Sequence, residues 1–138
     1  MVSESVGKKC LVTGATGFLG SNLVHELVKQ GWDVRASGMH DSEIKYIKDL
    51  PIDIVFADIT IAEEVDAILE GCDYVFHVAA DTSFWKRNFA RQRAINVDGT
   101  INVANACVKH NVKRLIHTST LDVSVSYTHL RAHETKCY

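Results

Sequence analysis

Three glycines after a short apolar run are the residues in this sequence whose spacing best fits a binding chemistry. Gly14, Gly17 and Gly20 follow the run at 10–12, which is typical of a buried strand, and precede apolar residues at helical spacing. The free N–H groups at the start of such a helix favour an anion, and a missing side chain lets a diphosphate approach the backbone. The alternative is that the glycines only relieve steric crowding where a strand turns into a helix.

A pair of histidines near the end of the sequence could hold a metal ion. His129 and His133 are four residues apart with Glu134 beside them, which can place two imidazoles on one helical face for zinc. No further ligand stands at a suitable place, and residues 125–135 resemble the translation of a transposon-type sequencing adapter. We therefore predict that residues 125–138 are a non-native tail and that the chain holds no metal.

The glycine turn requires a sheet, and the rest of the chain has the pattern of one. Strands are predicted at 10–12, 34–36, 52–57, 73–79 and 114–118, and helices at 18–30, 42–50, 62–69 and 90–110. This alternation predicts right-handed crossovers and a parallel sheet with helices on both faces. The predicted fold class is α/β, a doubly wound parallel sheet of about five strands. His77 and His117 fall within its strands and are predicted to be buried.

Composition and charge exclude several classes of function. The 138 residues suit one domain, and 15 Lys and Arg against 17 Asp and Glu give a net charge of −2 without a basic stripe, so we expect no nucleic-acid partner. No apolar run approaches the roughly 20 residues that span a bilayer, so we expect no membrane partner. Four cysteines without a C-x-x-C pair, and no signal peptide, predict a cytoplasmic location.

Five motifs in order give the sequence a family resemblance. They are Thr-Gly-x-x-Gly-x-x-Gly at 13–20, Asp58-Ile59, and the segments DYVFHVAA at 73–80, NVDGTINV at 96–103 and KRLIHTST at 113–120. This set resembles the extended short-chain dehydrogenases/reductases, the NAD-dependent epimerase/dehydratase family, and within it the dihydroflavonol-reductase-like and sugar-epimerase-like branches. The resemblance covers about residues 8–124 and implies a Rossmann fold that binds NAD(P).

The resemblance also implies a cofactor site made from the motif residues. Asp58 would accept a hydrogen bond from the adenine amino group, and Asn96 would face the active site from the long helix. A competing interpretation of Asp58 is a carboxylate at a helix start, because Thr60 and Glu63 fit a capping box. The complete set of expected cofactor-binding residues is Gly14, Thr16, Gly17, Phe18, Leu19, Gly20, Arg35, Asp58, Ile59, Ala79, Ala80 and Asn96.

Cofactor choice depends on the residues after the second strand. A member that prefers NAD would carry an acid near Gly38, and one that prefers NADP would carry an arginine near Met39; neither is present. Because no carboxylate stands at this position, a 2′-phosphate of NADP would meet no repulsion there, and Arg35, His40 or Lys45 could approach that phosphate. The cofactor is therefore NADP or NAD, with the sequence favouring NADP.

One catalytic residue follows from the resemblance. Thr120 matches the family's catalytic Ser/Thr, whose hydroxyl polarises the substrate oxygen. The family's Tyr-x-x-x-Lys is absent, since Tyr127 is followed four residues later by Arg131. We expect residues 1–124 to be an incomplete NAD(P)-binding domain, truncated from a parent oxidoreductase, epimerase or dehydratase. That parent would transfer hydride between the nicotinamide and a small-molecule carbinol, carbonyl or nucleotide-sugar substrate, and could be a homodimer. A non-catalytic NAD(P) sensor and a purely structural domain are the alternatives.

Overall fold

A five-stranded parallel sheet forms the centre of residues 7–83 and 86–120, the part of the chain that the computed structural model describes. Its strands are β1 (Lys9–Thr13), β2 (Asp33–Gly38), β3 (Asp53–Phe56), β4 (Tyr74–His77) and β5 (Arg114–His117). Their order across the sheet is β3-β2-β1-β4-β5, and each neighbouring pair is parallel. The predicted doubly wound α/β class is confirmed.

Helices connect the strands and lie on both faces of the sheet. They are α1 (Phe18–Lys29), α2 (Ala62–Leu69), α3 (Phe89–Arg93) and α4 (Gly99–Lys109), with a π-helical turn over Ala94–Asp98 between the last two. That turn interrupts what the sequence predicted as one helix over 90–110. No helix within the described ranges is long and apolar enough to cross a bilayer.

Alternation along β1 accounts for the two layers of helices. Leu11 packs into an apolar cluster with α2 and α4, whereas Cys10 and Val12 pack into a second cluster with α1. All three side chains are fully buried. A strand that is apolar on both faces is typical of a parallel sheet covered by helices, and β1 is the middle strand of the five.

Residues 45–49 form consecutive turns and residues 42–44 have no regular structure, so the predicted helix over 42–50 is wrong. Ile47 N–H and Leu50 N–H donate to carbonyls three residues earlier, and only Lys48 N–H makes a helical bond, to Ile44. Ile44, Ile47 and Leu50 all pack against the α1 cluster. A spacing of three residues fits successive turns as well as a helix, and Pro51 disfavours helical backbone at the residue before it.

Candidate functional site

The carboxyl ends of β1, β2 and β4 open onto one cleft of about 730 Å³, a size typical of small-molecule sites. From β1 the sheet continues to β2 on one side and to β4 on the other. Open α/β sheets form their ligand crevice where the strand order reverses in this way. Most of the expected cofactor-binding residues line the cleft, namely Gly14, Thr16, Gly17, Phe18, Leu19, Gly20, Ile59, Ala79 and Ala80.

The three glycines of the turn differ in what their backbone positions require. Gly14 has φ +65°, and a Cβ there would lie 2.7 Å from the Ala79 nitrogen. A Cβ on Gly20 would lie 2.0 Å from the Gly14 carbonyl oxygen. Gly17 has φ −80°, and a Cβ there would meet nothing closer than that same oxygen at 3.5 Å. The fold therefore requires glycine at positions 14 and 20, but the ligand-free fold does not require it at Gly17.

The first turn of α1 presents backbone donors to the cleft. Gly17 occupies the N-cap position, no side chain caps this helix, and its first turn contains no acidic residue. The first N–H groups of a helix have no partner within the helix, and the helix dipole places partial positive charge there. Phe18 and Leu19 at this position are 89% and 50% exposed. This end of α1 can accept an anionic group.

Four residues beside the end of β2 also line the cleft; the sequence singled out Gly38 and Met39 only as positions that lack a cofactor-selective charge, and it did not assign the two serines. The four residues are Ser37, Gly38, Met39 and Ser42. The Ser42 Oγ accepts a 2.9 Å hydrogen bond from Met39 N–H, which fixes the turn. Their signal in the sequence is only their place after a strand, because serines in turns are common. They bring no carboxylate and no cation to this part of the cleft.

Arg35 lies outside the cleft, contrary to its predicted approach to a phosphate. Its Nε donates to Asp53 Oδ2 over 2.8 Å, and its Nη1 donates to the carbonyls of Ile68 and Glu70 over 2.8 and 2.9 Å. The side chain is 16% exposed. The guanidinium therefore caps the carboxyl end of α2, where unpaired carbonyls attract a cation. His40 is also partnered, with its Nε2 2.8 Å from Glu64 Oε2.

Asp58 closes a turn before α2. Its Oδ1 accepts hydrogen bonds from the N–H and the hydroxyl of Thr60, at 2.9 and 2.7 Å. Its own N–H donates to Glu64 Oε2 over 2.6 Å, and this bond lowers the pKa of Glu64. The predicted capping box does not form, because the N-cap residue is Ile61 and no side chain caps the helix. Asp58 thus stands next to Ile59, which is buried and lines the cleft.

The loop after β4 forms a wall of the cleft that begins beside the glycine turn. β4 ends at His77, two residues before the predicted end, and Val78 to Ser83 line the cleft. Asn96 holds this loop through the backbone of Asp81: its Oδ1 accepts from the N–H over 2.8 Å, and its Nδ2 donates to the carbonyl over 2.9 Å. Asn96 is exposed on the π-helical turn, so it touches the site through the loop that it fixes.

Asp81 and Arg91 add charge to the same wall and were not assigned from sequence. Ser83 N–H donates to Asp81 Oδ1 over 2.9 Å, which lowers the pKa of Asp81. Arg91 Nε lies 3.4 Å from Asp81 Oδ2, and its side chain is 67% exposed. An exposed arginine at a cleft can neutralise an anionic ligand.

His77 lies directly below this wall, enclosed between two threonine hydroxyls. Its Nδ1 is 2.8 Å from Thr13 Oγ1, and its Nε2 is 3.0 Å from Thr100 Oγ1. The residue is 1% exposed, and burial, with a smaller contribution from His117, lowers the pKa of His77 to about 4. His117 stacks on it at 5.4 Å between ring centroids but is exposed, so its predicted burial is wrong.

Thr120 is not among the residues that line the cleft. Thr120 is exposed, three residues beyond the end of β5. The expectations for Tyr127, His129 and His133, and for the tail over 125–138, fall outside the described residues. Within the described part, no three His, Cys, Asp or Glu residues are arranged to hold a metal ion.

The buried cysteines are unsuited to nucleophilic chemistry. Burial raises the pKa of Cys10 to about 12 and that of Cys107 to about 11. A thiol reacts as its thiolate, which these pKa values disfavour near neutral pH. Neither cysteine lines the cleft, where backbone donors, small polar side chains and the Asp81–Arg91 pair are available.

Comparison with known proteins points to one family. Residues 10–135 match the family described as the NAD dependent epimerase/dehydratase family. The chain is 33% identical over 134 residues to a dihydroflavonol 4-reductase of Callistephus chinensis, covering 89% of this chain and 37% of that protein.

Two solved structures have the same architecture over most of the described residues. The UDP-glucose 4-epimerase of Thermotoga maritima with UDP-glucose matches with a TM-score of 0.74 and 28% identity, over 81% of this chain and 38% of that one. The Bordetella bronchiseptica enzyme WbmG in complex with NAD matches with a TM-score of 0.74 and 27% identity, over 85% and 39%. The chain spans 28% to 40% of the length of the curated relatives it matches. The family match extends over most of the sequence, and this chain belongs to the NAD-dependent epimerase/dehydratase family.

Proposed function

We propose that the cleft binds an NAD(P) dinucleotide, and that the chain is the cofactor-binding portion of an oxidoreductase, epimerase or dehydratase. Gly17 is the observation that carries this proposal. The ligand-free fold leaves room for a side chain at Gly17, whereas a diphosphate on the first turn of α1 would not. The bound NAD of a structural neighbour, WbmG, supports the choice of ligand.

The residues that line the cleft fit the parts of a dinucleotide. The backbone amides of Phe18 and Leu19, directly after Gly17, would hold the diphosphate, since this turn offers donors and no negative charge. Ile59 would pack against the adenine ring, with the Asp58 carboxylate beside it. When bound, the nicotinamide supplies or accepts a hydride. The protein would hold the nicotinamide ring near the loop after β4, where the small side chains of Ala79 and Ala80 leave space for the cofactor.

The end of β2 favours NADP over NAD in this proposal. Ser37, Gly38, Met39 and Ser42 place no carboxylate where a 2′-phosphate would lie, so the phosphate meets no repulsion. Arg35 does not provide the attraction, since its guanidinium is bound at the end of α2. We therefore expect a modest preference for NADP over NAD, smaller than the preference that an arginine in the cleft would give.

Turnover requires groups beyond the cleft. Thr120 is proposed, by its position in the family motif, to polarise a substrate carbonyl or carbinol oxygen. The family's Tyr-x-x-x-Lys does not occur in the 138 residues, so we expect this chain to bind the cofactor without reducing a substrate. A non-catalytic sensor would bind equally, and only a Tyr-x-x-x-Lys in the contiguous gene would separate the two.

Fluorescence titration tests the proposal. We expect NADPH and NADH emission to change on addition of the chain and to saturate, with NADPH binding more tightly. ADP-ribose should displace both cofactors, because it carries the diphosphate and adenine. An unchanged emission, together with no heat on calorimetric titration, would contradict the proposal and favour a purely structural domain.

A further inference from the structure

The hydroxyl of Thr13 connects β1 to the start of the loop that forms a wall of the cleft. Thr13 Oγ1 accepts hydrogen bonds from Val78 N–H and Ala79 N–H, at 3.1 and 3.2 Å. Thr13 is fully buried at the end of β1, next to Gly14. Because these amides begin the loop that lines the cleft, the direction of one hydroxyl proton determines whether the start of that loop is held to β1.

Hydrogen bonding fixes the direction of that proton. Thr100 Oγ1 donates to the Asn96 carbonyl over 2.8 Å, so it has only lone pairs left for His77 Nε2, which must carry a proton. Thr13 Oγ1 has both lone pairs engaged by Val78 and Ala79, so its proton must go to His77 Nδ1. Every group is satisfied only when His77 is neutral with its proton on Nε2.

We propose that His77 is a positioning residue for the dinucleotide cleft: as the neutral Nε2–H tautomer it takes the Thr13 hydroxyl proton and thereby directs the Thr13 lone pairs at the amides of the cleft wall. The proposal rests on the proposed function for its effect on binding, but its tautomer and its hold on the loop belong to the ligand-free protein. Thr100 on α4 and the Asn96 carbonyl on the π-helical turn set the tautomer.

Protonation of His77 would break this arrangement. A second ring proton on Nδ1 would point at Thr13 Oγ1, which has no lone pair left, and the Thr13 proton would lose its acceptor. The neighbours from the other elements are the uncharged Thr13 on β1 and Thr100 on α4, and the titratable His117 on β5, whose charge would oppose a second charge on His77. The surroundings thus hold His77 neutral.

Nitrogen-15 NMR of the full 138-residue chain tests the tautomer without any ligand. Long-range correlations from the ring carbon protons of His77 should report protonated Nε2 and bare Nδ1, unchanged from pH 8 to pH 5.5. An Nδ1–H tautomer, or titration with an ordinary histidine midpoint, would overturn the proposal. This result does not depend on whether the cleft binds NAD(P).

Variants of Thr13 test the hold on the cleft. Thr13→Val keeps the shape but removes the acceptor, and we expect faster amide exchange at Val78 and Ala79 and about tenfold weaker NADPH binding. Thr13→Ser should rescue most of both effects. Val103→Ala, in the apolar cluster of α2 and α4, is the matched control for a loss of core packing, because it removes part of a fully buried side chain but no hydrogen bond to the loop.

The outcomes separate the two proposals. Slower exchange and tighter binding in Thr13→Ser than in Thr13→Val, with wild-type affinity in Val103→Ala, support the positioning role. Equal exchange in the valine and serine variants overturns it. A wild-type chain that binds no dinucleotide but shows the exchange difference contradicts only the proposed function.

Discussion

Replacing Gly17 by alanine separates the requirements of the fold from those of the ligand. The position has φ −80°, which alanine adopts freely, and the added Cβ would come no closer than 3.5 Å to the Gly14 oxygen. Alanine is a poorer N-cap than glycine by about 1 kcal/mol or less. We therefore expect the free energy of unfolding of Gly17→Ala to remain close to that of the wild type.

Dinucleotide affinity should respond much more strongly. A phosphate oxygen bonded to the amides of this turn would lie about 2.7–3.2 Å from their nitrogens, a distance that a methyl group at position 17 would obstruct. Loss of one hydrogen bond to a charged oxygen costs about 1.5–3 kcal/mol, or about ten- to a hundredfold in Kd. The expected result is a weakened complex of an almost equally stable protein.

Gly71→Ala is the matched control, because its effects should be the reverse. Gly71 has φ +79° in the turn between α2 and β4, a Cβ added there would have nothing within 4 Å, and the residue does not line the cleft. Alanine there should cost about 1–2 kcal/mol of stability through backbone strain alone. Calorimetric titration with NADPH and urea unfolding measure both quantities for both variants. Unchanged NADPH affinity in Gly17→Ala would refute the assignment of the diphosphate to this turn.

Three further results are expected. The pKa of His77 is about 4 in the folded protein against 6.5 ordinarily, so the contribution of neutral His77 to stability is present above pH 6.5 and is lost as the pH falls toward 4. Urea unfolding should therefore report about 2 kcal/mol less stability at pH 5 than at pH 7. A free energy of unfolding that does not change with pH would contradict the burial of this histidine. Arg35→Gln should lower stability by about 1–3 kcal/mol and leave the NADPH-to-NADH affinity ratio unchanged; a selective loss of NADPH binding would restore the original expectation for Arg35. Asp58→Asn keeps an oxygen that can accept from Thr60 but alters the acceptor beside the adenine site, so NADPH affinity should fall about fivefold with little change in melting temperature. An affinity equal to that of the wild type would count against the adenine contact.

The layered architecture could be predicted because its signals are local. The apolar run in β1, the helical spacing in α1 and the glycines between them each depend on residues close together in sequence. The alternation of such segments then leaves few topologies, of which the right-handed parallel sheet is the common one. The prediction of a helix over 42–50 was wrong because the three-residue spacing of its apolar residues is shared by helices and turns, and the packing of Ile47 decided between the two.

Side-chain direction was less predictable from sequence. Arg35 stands in β2 near the expected ribose position, yet its guanidinium reaches Asp53 on β3 and the carbonyl groups at the end of α2, which are 18 to 35 residues away in sequence. Asp58 likewise bonds Thr60 instead of leaving that threonine to cap α2 with Glu63. Propensity rules place such residues in elements, but their partners are set by tertiary contacts.

The support of the cleft wall was invisible in the sequence for the same reason. Thr13 and His77 are 64 residues apart, and they meet because β1 and β4 are paired in register with Thr13 opposite His77. The sequence identified Thr13 only as the first residue of the glycine motif and His77 only as a buried strand residue. Their shared role depends on the strand order, which places β4 beside β1.

Backbone amide mapping tests the central claim most directly. In a titration of the nitrogen-15-labelled chain with NADP, the account predicts that the largest amide shifts occur at Gly17, Phe18 and Leu19, followed by those of Ala79 and Ala80. Shifts that are absent, or that centre on the groove between α2 and α4 around Asp66 and Asn102, would contradict the claim that the start of α1 holds the diphosphate.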